Sequence, residues 1–163
     1  MVDMGLLLQK LVSTIQQQVS HEGFTIEAEF DAPLPSLQVD RAAIIQAITN
    51  LIDNAIKYSA GSKKVCIRSY RENQYLIIAV QDFGVGIKLE EIDRVFERFY
   101  RGGDELTRTV KGSGLGLTLV KQIVEAHHGN VHVESEPGHG STFSIQLPLE
   151  LTGIERHGKD TDH

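Results

Sequence analysis

Leu8, Leu11, Val12, Ile15 and Val19 recur at helical spacing and predict a first amphipathic helix over 6–19. The period then changes. Phe24, Ile26, Ala28 and Phe30 alternate as in a half-buried strand, until DAPLP at 31–35 breaks the pattern. Asp40 suits the N-cap of a second helix over 41–58, whose Ile44, Ile48, Leu51, Ile52 and Ala55 form a stripe for the core. Two alternating strands follow near 63–71 and 75–81, separated by Glu72-Asn73-Gln74, a connection of hairpin length. A short helix is predicted over 88–95. Residues 100–113 then lose all periodicity and become polar and glycine-punctuated, a long loop of the kind that serves as a lid or binding segment. A third helix is expected over 114–127, stopped by Gly129 as its C′ residue, and strands near 130–135 and 141–147 close the domain. Residues 151–163 hold two of the seven histidines and read as a polar, disordered tail, which leaves one domain over 1–150.

The 163 residues are enough for one domain with a real core, and 40% hydrophobic with 23% charged content is that of a globular protein. Sixteen basic against 22 acidic residues give a net charge of −6, the opposite of the basic footprint that nucleic-acid binding needs. No apolar run approaches the roughly 20 residues of a membrane span, so no direct membrane contact is expected of this segment; an anchor, if there is one, lies outside it. Cys66 is the single cysteine, which excludes an intrachain disulfide. It is expected as a buried strand thiol in a cytoplasmic setting.

Four short blocks carry the chemistry: NLIDNAIKYS at 50–59, DFGVGI at 82–87, GSGLGL at 112–117 and GHGSTF at 138–143. In the first, Asn50, Asn54 and Lys57 share one helix face, with Tyr58 at its edge. Asn is a mediocre helix former, and a merely solvated face would more naturally use Glu or Lys. As a polar wall, the amide oxygens suit Mg²⁺, Lys57 suits phosphate and the Tyr58 ring suits a flat base. A solvated stripe is an equal reading of this block alone. In the second, Asp82 ends a strand and is followed by Gly84 and Gly86. A carboxylate there accepts from the exocyclic amine of adenine and repels the carbonyl of guanine, while Ile87 packs on the ring. An ordinary turn after a strand is the plain alternative.

The third block is the strongest. Gly112, Gly114 and Gly116, interleaved with Ser113, Leu115 and Leu117, open a helix whose N-terminus makes an anion site, with Arg101, Arg108 and Lys111 close by in sequence. A dinucleotide fingerprint fails, because Leu117 stands in place of the third glycine and no strand immediately precedes. GIERHGKD at 153–160 misses a P-loop by one residue, Asp160, and lacks the flanking strand and helix. The DFG triplet has no companion kinase motifs, and the histidines form no metal pattern.

Together and in this order, the blocks resemble the ATP-binding catalytic domain of bacterial sensor histidine kinases, of the same superfamily as the ATPase domains of gyrase, Hsp90 and MutL. NLIDNAIKYS resembles the family's N box, DFGVGI its G1 box, FERFYR at 96–101 its F box, GSGLGL its G2 box and GHGSTF its G3 box. The resemblance spans roughly residues 3–149. It implies a two-layer α/β sandwich of the Bergerat type: a mixed, mostly antiparallel sheet with three helices on one face and an ATP lid, mobile when empty, over 100–113. It also implies that Asn50 and Asn54 hold Mg²⁺ and phosphates, that Lys57 contacts phosphate, that Tyr58 stacks near the base and that Asp82 reads its amine. Gly84, Gly86, Gly112, Gly114 and Gly116 shape the pocket. Ser141, where many members carry Thr, helps to bind adenine, and Phe96 and Phe99 anchor the lid.

The resemblance further implies ATP and Mg²⁺ as cofactors, and as partners the dimerisation helices that carry the phosphoacceptor histidine and, through the parent kinase, a response regulator. His21-Glu22 continues as Gly23-Phe24-Thr25 and does not match that histidine's context, so self-phosphorylation of this chain is not expected. Asn50 stands where the superfamily's ATPases resemble one another in carrying a Glu that activates water, and Asn cannot take a proton at neutral pH. That residue and FERFYR count against a stand-alone ATPase or an anti-sigma-type serine kinase. Intact binding positions count against a non-catalytic ATP-sensing module.

Overall fold

The computed structural model describes residues 1–59, 61–97 and 116–150. In chain order these form β1 (Val2–Asp3), α1 (Met4–Val19), β2 (Thr25–Phe30), β3 (Ser36–Leu37), α2 (Arg41–Tyr58), β4 (Lys64–Glu72), β5 (Tyr75–Asp82), α3 (Gly116–Ala126), β6 (Asn130–Glu136) and β7 (Gly140–Pro148). The main sheet has the order β2-β4-β5-β7-β6. Among the described strands only the β2–β4 pairing is parallel. β1 and β3 make a separate two-residue pairing.

Local sequence explains the helix starts. Asp3 Oδ1 accepts from Leu6 N–H at 3.0 Å and Asp40 Oδ1 from Ala43 N–H at 3.1 Å, each satisfying an otherwise orphaned donor. Within α2, Ile, Thr and Asn are indifferent helix formers, at about 0.5 kcal/mol each against Ala. Burial decides the matter, because each enclosed Ile or Leu contributes about 1.5–3 kcal/mol. Ile44, Ile48, Leu51 and Ile52 are buried against one face of the sheet, where Val65, Ile67, Ile78, Val80 and Ile145 point. α1 and α3 cover the same face through Leu8, Ile15, Val120 and Val124.

The short helix expected over 88–95 is a six-residue 3₁₀ helix, Leu89–Arg94. Two other expectations are corrected. Cys66 is half-exposed rather than buried. Val65 and Ile67 take the inward positions of β4, and strict alternation sends the thiol to the outer face, 3.5 Å from Glu27 Oε2. Partial desolvation, reinforced by Glu27, raises the thiol above its ordinary pKa. Gly129 is not the left-handed residue after α3; His128 is, at φ 61°. Gly129 is required for a different reason, since a Cβ there would strike the Gln146 carbonyl.

Two side chains tie elements together in ways the pattern did not announce. Gln16 acts as a piece of extra strand against the open edge of β2, its Nε2 donating to the Phe24 carbonyl at 3.1 Å and its Oε1 accepting from Ile26 N–H at 2.7 Å. His127 spans α3 and the start of α2. Its Nδ1 lies 2.7 Å from the Ile123 carbonyl and its Nε2 accepts from Asp40 N–H at 3.0 Å. A carbonyl only accepts and a backbone N–H only donates, so this geometry belongs to the neutral ring with the proton on Nδ1.

Candidate nucleotide-binding site

The described parts of the blocks, separated along the chain, meet at one end of the sheet. β5 lies between β4 and β7, and Asp82 is its last residue, opposite Val65. From there the chain turns through 83–87 beneath the end of α2. A Cβ at Gly84 would fall on the Tyr58 carbonyl, so no other residue fits at that crossing. Gly86, at φ 73°, also lies too close to the Glu136 carbonyl, at the β6–β7 hairpin, to carry a Cβ. The N-box helix, the G1 turn and the G3 hairpin are thus in backbone contact. The end of the G2 segment, at the start of α3, joins them through Asn50, whose Nδ2 donates to the Gly116 carbonyl at 3.4 Å.

Asp82 is 2% exposed. Its Oδ1 accepts from Gly84 N–H at 3.0 Å and from Ser141 N–H at 3.3 Å. Burial pushes its carboxyl above the ordinary carboxylate range, and the two N–H groups pull it part of the way back. Among the described residues both of these bonds fall on Oδ1, leaving Oδ2 as the oxygen free to meet a ligand. A buried carboxylate fixed by backbone on one oxygen and open on the other is suited to receiving a donor such as an aromatic amine.

Asn50 and Asn54 are half-buried on α2, Lys57 is exposed one turn on, and Tyr58 is half-buried at the helix end. Because the Asn50 amide nitrogen is committed to Gly116, its Oδ1 is the end left for a ligand, and an amide oxygen is the right donor for Mg²⁺. Asp53, on the same helix, has its carboxyl raised by partial desolvation and lowered by Lys57. Ile87 is half-buried, and Ser141 is 7% exposed. Phe96 packs edge-on to Phe143 with centroids 6.0 Å apart, and Thr118 Oγ1 donates to its carbonyl at 2.9 Å, which anchors the F box to β7 and α3. Gly116 is exposed and Leu117 packs against the core at the start of α3. Phe99, Arg101, Arg108, Lys111, Gly112, Ser113, Gly114 and Leu115 lie outside the described residues, as do the expected lid over 100–113 and the tail over 151–163.

Sequence reasoning passed over Ser135. Its Oγ accepts from Ile87 N–H at 2.7 Å, donates to the Gly140 carbonyl at 3.0 Å and lies 2.7 Å from Ser141 Oγ. One serine therefore joins the G1 turn to the G3 hairpin. A serine in an alternating strand looks like any solvent-facing position; only the Ser135–Ser141 pairing across the hairpin reveals it.

Comparison with known proteins identifies the family and the fold. The family of histidine kinase-, DNA gyrase B- and HSP90-like ATPases matches over residues 39–151. The sensor-like histidine kinase SenX3 of Mycobacterium tuberculosis is 40% identical over 149 residues, covering 90% of this chain and 36% of its own length. The chain thus spans about a third of that curated relative. Among solved structures, the mycobacterial sensor histidine kinase MprB superposes with a TM-score of 0.71 at 31% identity, over 90% of this chain and 95% of that one. ShkA, solved full-length in complex with AMPPNP, gives 0.75 at 26% identity over 90% of this chain and 30% of that one. No helix among the described residues is long and apolar enough to cross a membrane. Its sequence and its sheet together identify the family: the chain belongs to the histidine kinase-, DNA gyrase B- and HSP90-like ATPases, and within them to the catalytic domains of sensor histidine kinases.

Proposed function

We propose that this chain binds Mg-ATP and presents its γ-phosphoryl group to a histidine on dimerisation helices outside the chain, as the catalytic domain of a sensor kinase in two-component signalling. A response regulator then receives the phosphoryl group from that histidine. The observation that carries the reading is Asp82: buried at the end of a central strand, its Oδ1 held by Gly84 and Ser141, its Oδ2 left for the amine of adenine. The AMPPNP held by ShkA, an adenine nucleotide, supports the same choice of base.

The residues present fit a magnesium nucleotide. The Oδ1 atoms of Asn50 and Asn54 would hold Mg²⁺, and Lys57 would hold phosphate oxygens. The bound ion would neutralise charge on the triphosphate. Phosphoryl transfer passes through a loose transition state, so the protein's share is positioning and charge stabilisation. Asn50 and Asn54 orient, Lys57 offsets negative charge, and Tyr58 and Ile87 enclose the base. The attacking group is a neutral imidazole, nucleophilic without prior deprotonation, which suits an N box with Asn50 in place of a carboxylate base.

Titration calorimetry of the isolated chain tests this. Mg-ATP should bind, chelation of the metal should weaken it, and labelled ATP should leave no stoichiometric phosphate on the chain itself. Fusion to competent dimerisation helices should then yield acid-labile phosphohistidine. A folded chain that gives no heat with Mg-ATP overturns the proposal.

A further inference from the structure

We propose that Ser135, which touches no nucleotide itself, sets base specificity by fixing the hydroxyl proton of Ser141. The inference rests on the adenine-binding reading of the site above, and its basis is a count of protons. Four groups meet at the hairpin: Ile87 N–H, the Ser135 hydroxyl, the Gly140 carbonyl and the Ser141 hydroxyl. Ile87 N–H can only donate, so it occupies one lone pair of Ser135 Oγ. The Gly140 carbonyl can only accept, so it takes the single Ser135 proton. Ser135 Oγ then has one lone pair left, and Ser141 Oγ at 2.7 Å must donate to it. The reverse arrangement, with Ser135 donating to Ser141, would set the Ser135 and Gly140 oxygens 3.0 Å apart with no proton between them.

The consequence falls on the pocket. A free serine hydroxyl rotates to suit its partner, donating to a carbonyl or accepting from an amine. With its proton committed to Ser135, Ser141 Oγ offers the pocket lone pairs only. The Ser141 backbone N–H is also the group that holds Asp82 Oδ1, so the two acceptors, Asp82 Oδ2 and Ser141 Oγ, belong to one edge of the site. An edge with two acceptors and no donor matches the two protons of a 6-amino purine and opposes the oxygen of a 6-keto purine. Asp82 alone would leave a rotatable Ser141 able to rescue the keto base. Ser135 removes that escape.

The experiment compares ATP with ITP, which differs at the 6-position, by titration calorimetry on the wild-type chain, Ser135→Ala, Ser141→Ala and the double variant. Wild type is expected to prefer ATP. Ser135→Ala should weaken both nucleotides alike through the unpaired Ile87 N–H, and in addition lower the ATP:ITP preference about tenfold, the size of one neutral hydrogen bond. Ser141→Ala should lower the preference by a similar factor while Ser135 keeps its bonds to Ile87 and Gly140. The double variant should show no further loss of preference, because Ser135 acts only through Ser141. An unchanged ratio in either single variant, or a further drop in the double variant, overturns the proposal. Should Ser135→Ala fail to fold, the ratio in Ser141→Ala decides alone. A folded wild type that binds both nucleotides equally overturns this inference only; one that binds neither overturns the nucleotide reading beneath it.

Discussion

Replacing Asp82 with Asn should move binding and stability in opposite directions. The substitution keeps the shape and keeps an oxygen at Oδ1, where Gly84 and Ser141 donate. It puts an NH₂ where Oδ2 stood, so the amine of adenine meets a donor instead of an acceptor. The loss of a hydrogen bond to a charged group costs about 2–3 kcal/mol, or roughly 30- to 150-fold in Kd. ITP, with a carbonyl at that position, should gain relative to ATP. Stability follows the other sign. The carboxyl of Asp82 is raised in the folded state by burial, so its contribution to folding is fully present below the ordinary Asp value near 3.9 and is lost as pH rises through the raised value. Near neutral pH the wild type therefore carries a buried charge at a cost that the neutral amide avoids. Thermal melts of Asp82→Asn should match or exceed wild type near neutrality, and the two should converge or cross as the pH falls below the carboxylate range. Calorimetry with ATP and ITP, beside melts across that range, reads both effects. Unweakened ATP binding, or a variant that melts far below wild type at neutral pH, would refute the reasoning.

Gly84→Ala should destabilise the fold by about 1–3 kcal/mol, the usual cost of forcing atoms into packed space, because its Cβ would fall on the Tyr58 carbonyl. Gly61→Ala, where nothing lies within 4 Å, is the matched control and should be nearly neutral in urea denaturation. Gln16→Ala removes both bonds to the edge of β2 and should cost about 1–2 kcal/mol. Nucleotide affinity should be unchanged, as the residue is on α1 far from the blocks in sequence; an equal loss of binding would contradict that separation.

Periodic burial made the three helices and most strands readable, since Ile44, Ile48 and Ile52 or Leu76, Ile78 and Val80 declare their own spacing. Asp40 declared its cap. Non-local pairing was not declared in the same way. Nothing in Thr25–Phe30 says that its partner is β4 rather than β1 or β7, or that the pairing is parallel, because register depends on residues far along the chain. Cys66 departs from expectation for a simpler reason: alternation gives the inward positions to Val65 and Ile67, and a residue between them faces outward whatever its own polarity. At the site, the glycines of 82–87 were legible as places of close approach, but not what approaches. The Tyr58 carbonyl and the Glu136 carbonyl are backbone atoms, and any residue could have supplied them. Ser135 was hidden by its ordinary polarity.

The convergence divides the site into two ends with different mechanical support. Asp82 ends β5, which has ladders on both sides, and Ser141 lies near the start of the adjacent strand β7, so the edge proposed to read the base belongs to the sheet. Asn50, Asn54 and Lys57 are placed by α2, whose apolar stripe holds it on that sheet while its polar stripe carries the groups proposed to meet phosphate. One helix thus does both jobs by periodicity alone, and its last carbonyl, on Tyr58, is the contact that sets the spacing between the two ends. Substitutions at Asp82, Ser135 or Ser141 should therefore change which base is bound, whatever the number of phosphates. Substitutions at Lys57 should change the preference among mono-, di- and triphosphates, whatever the base. Ranking ATP, ADP, AMP and ITP on Asp82→Asn and Lys57→Ala reads the division directly, and a variant that altered both rankings in proportion would show that the two ends are one unit.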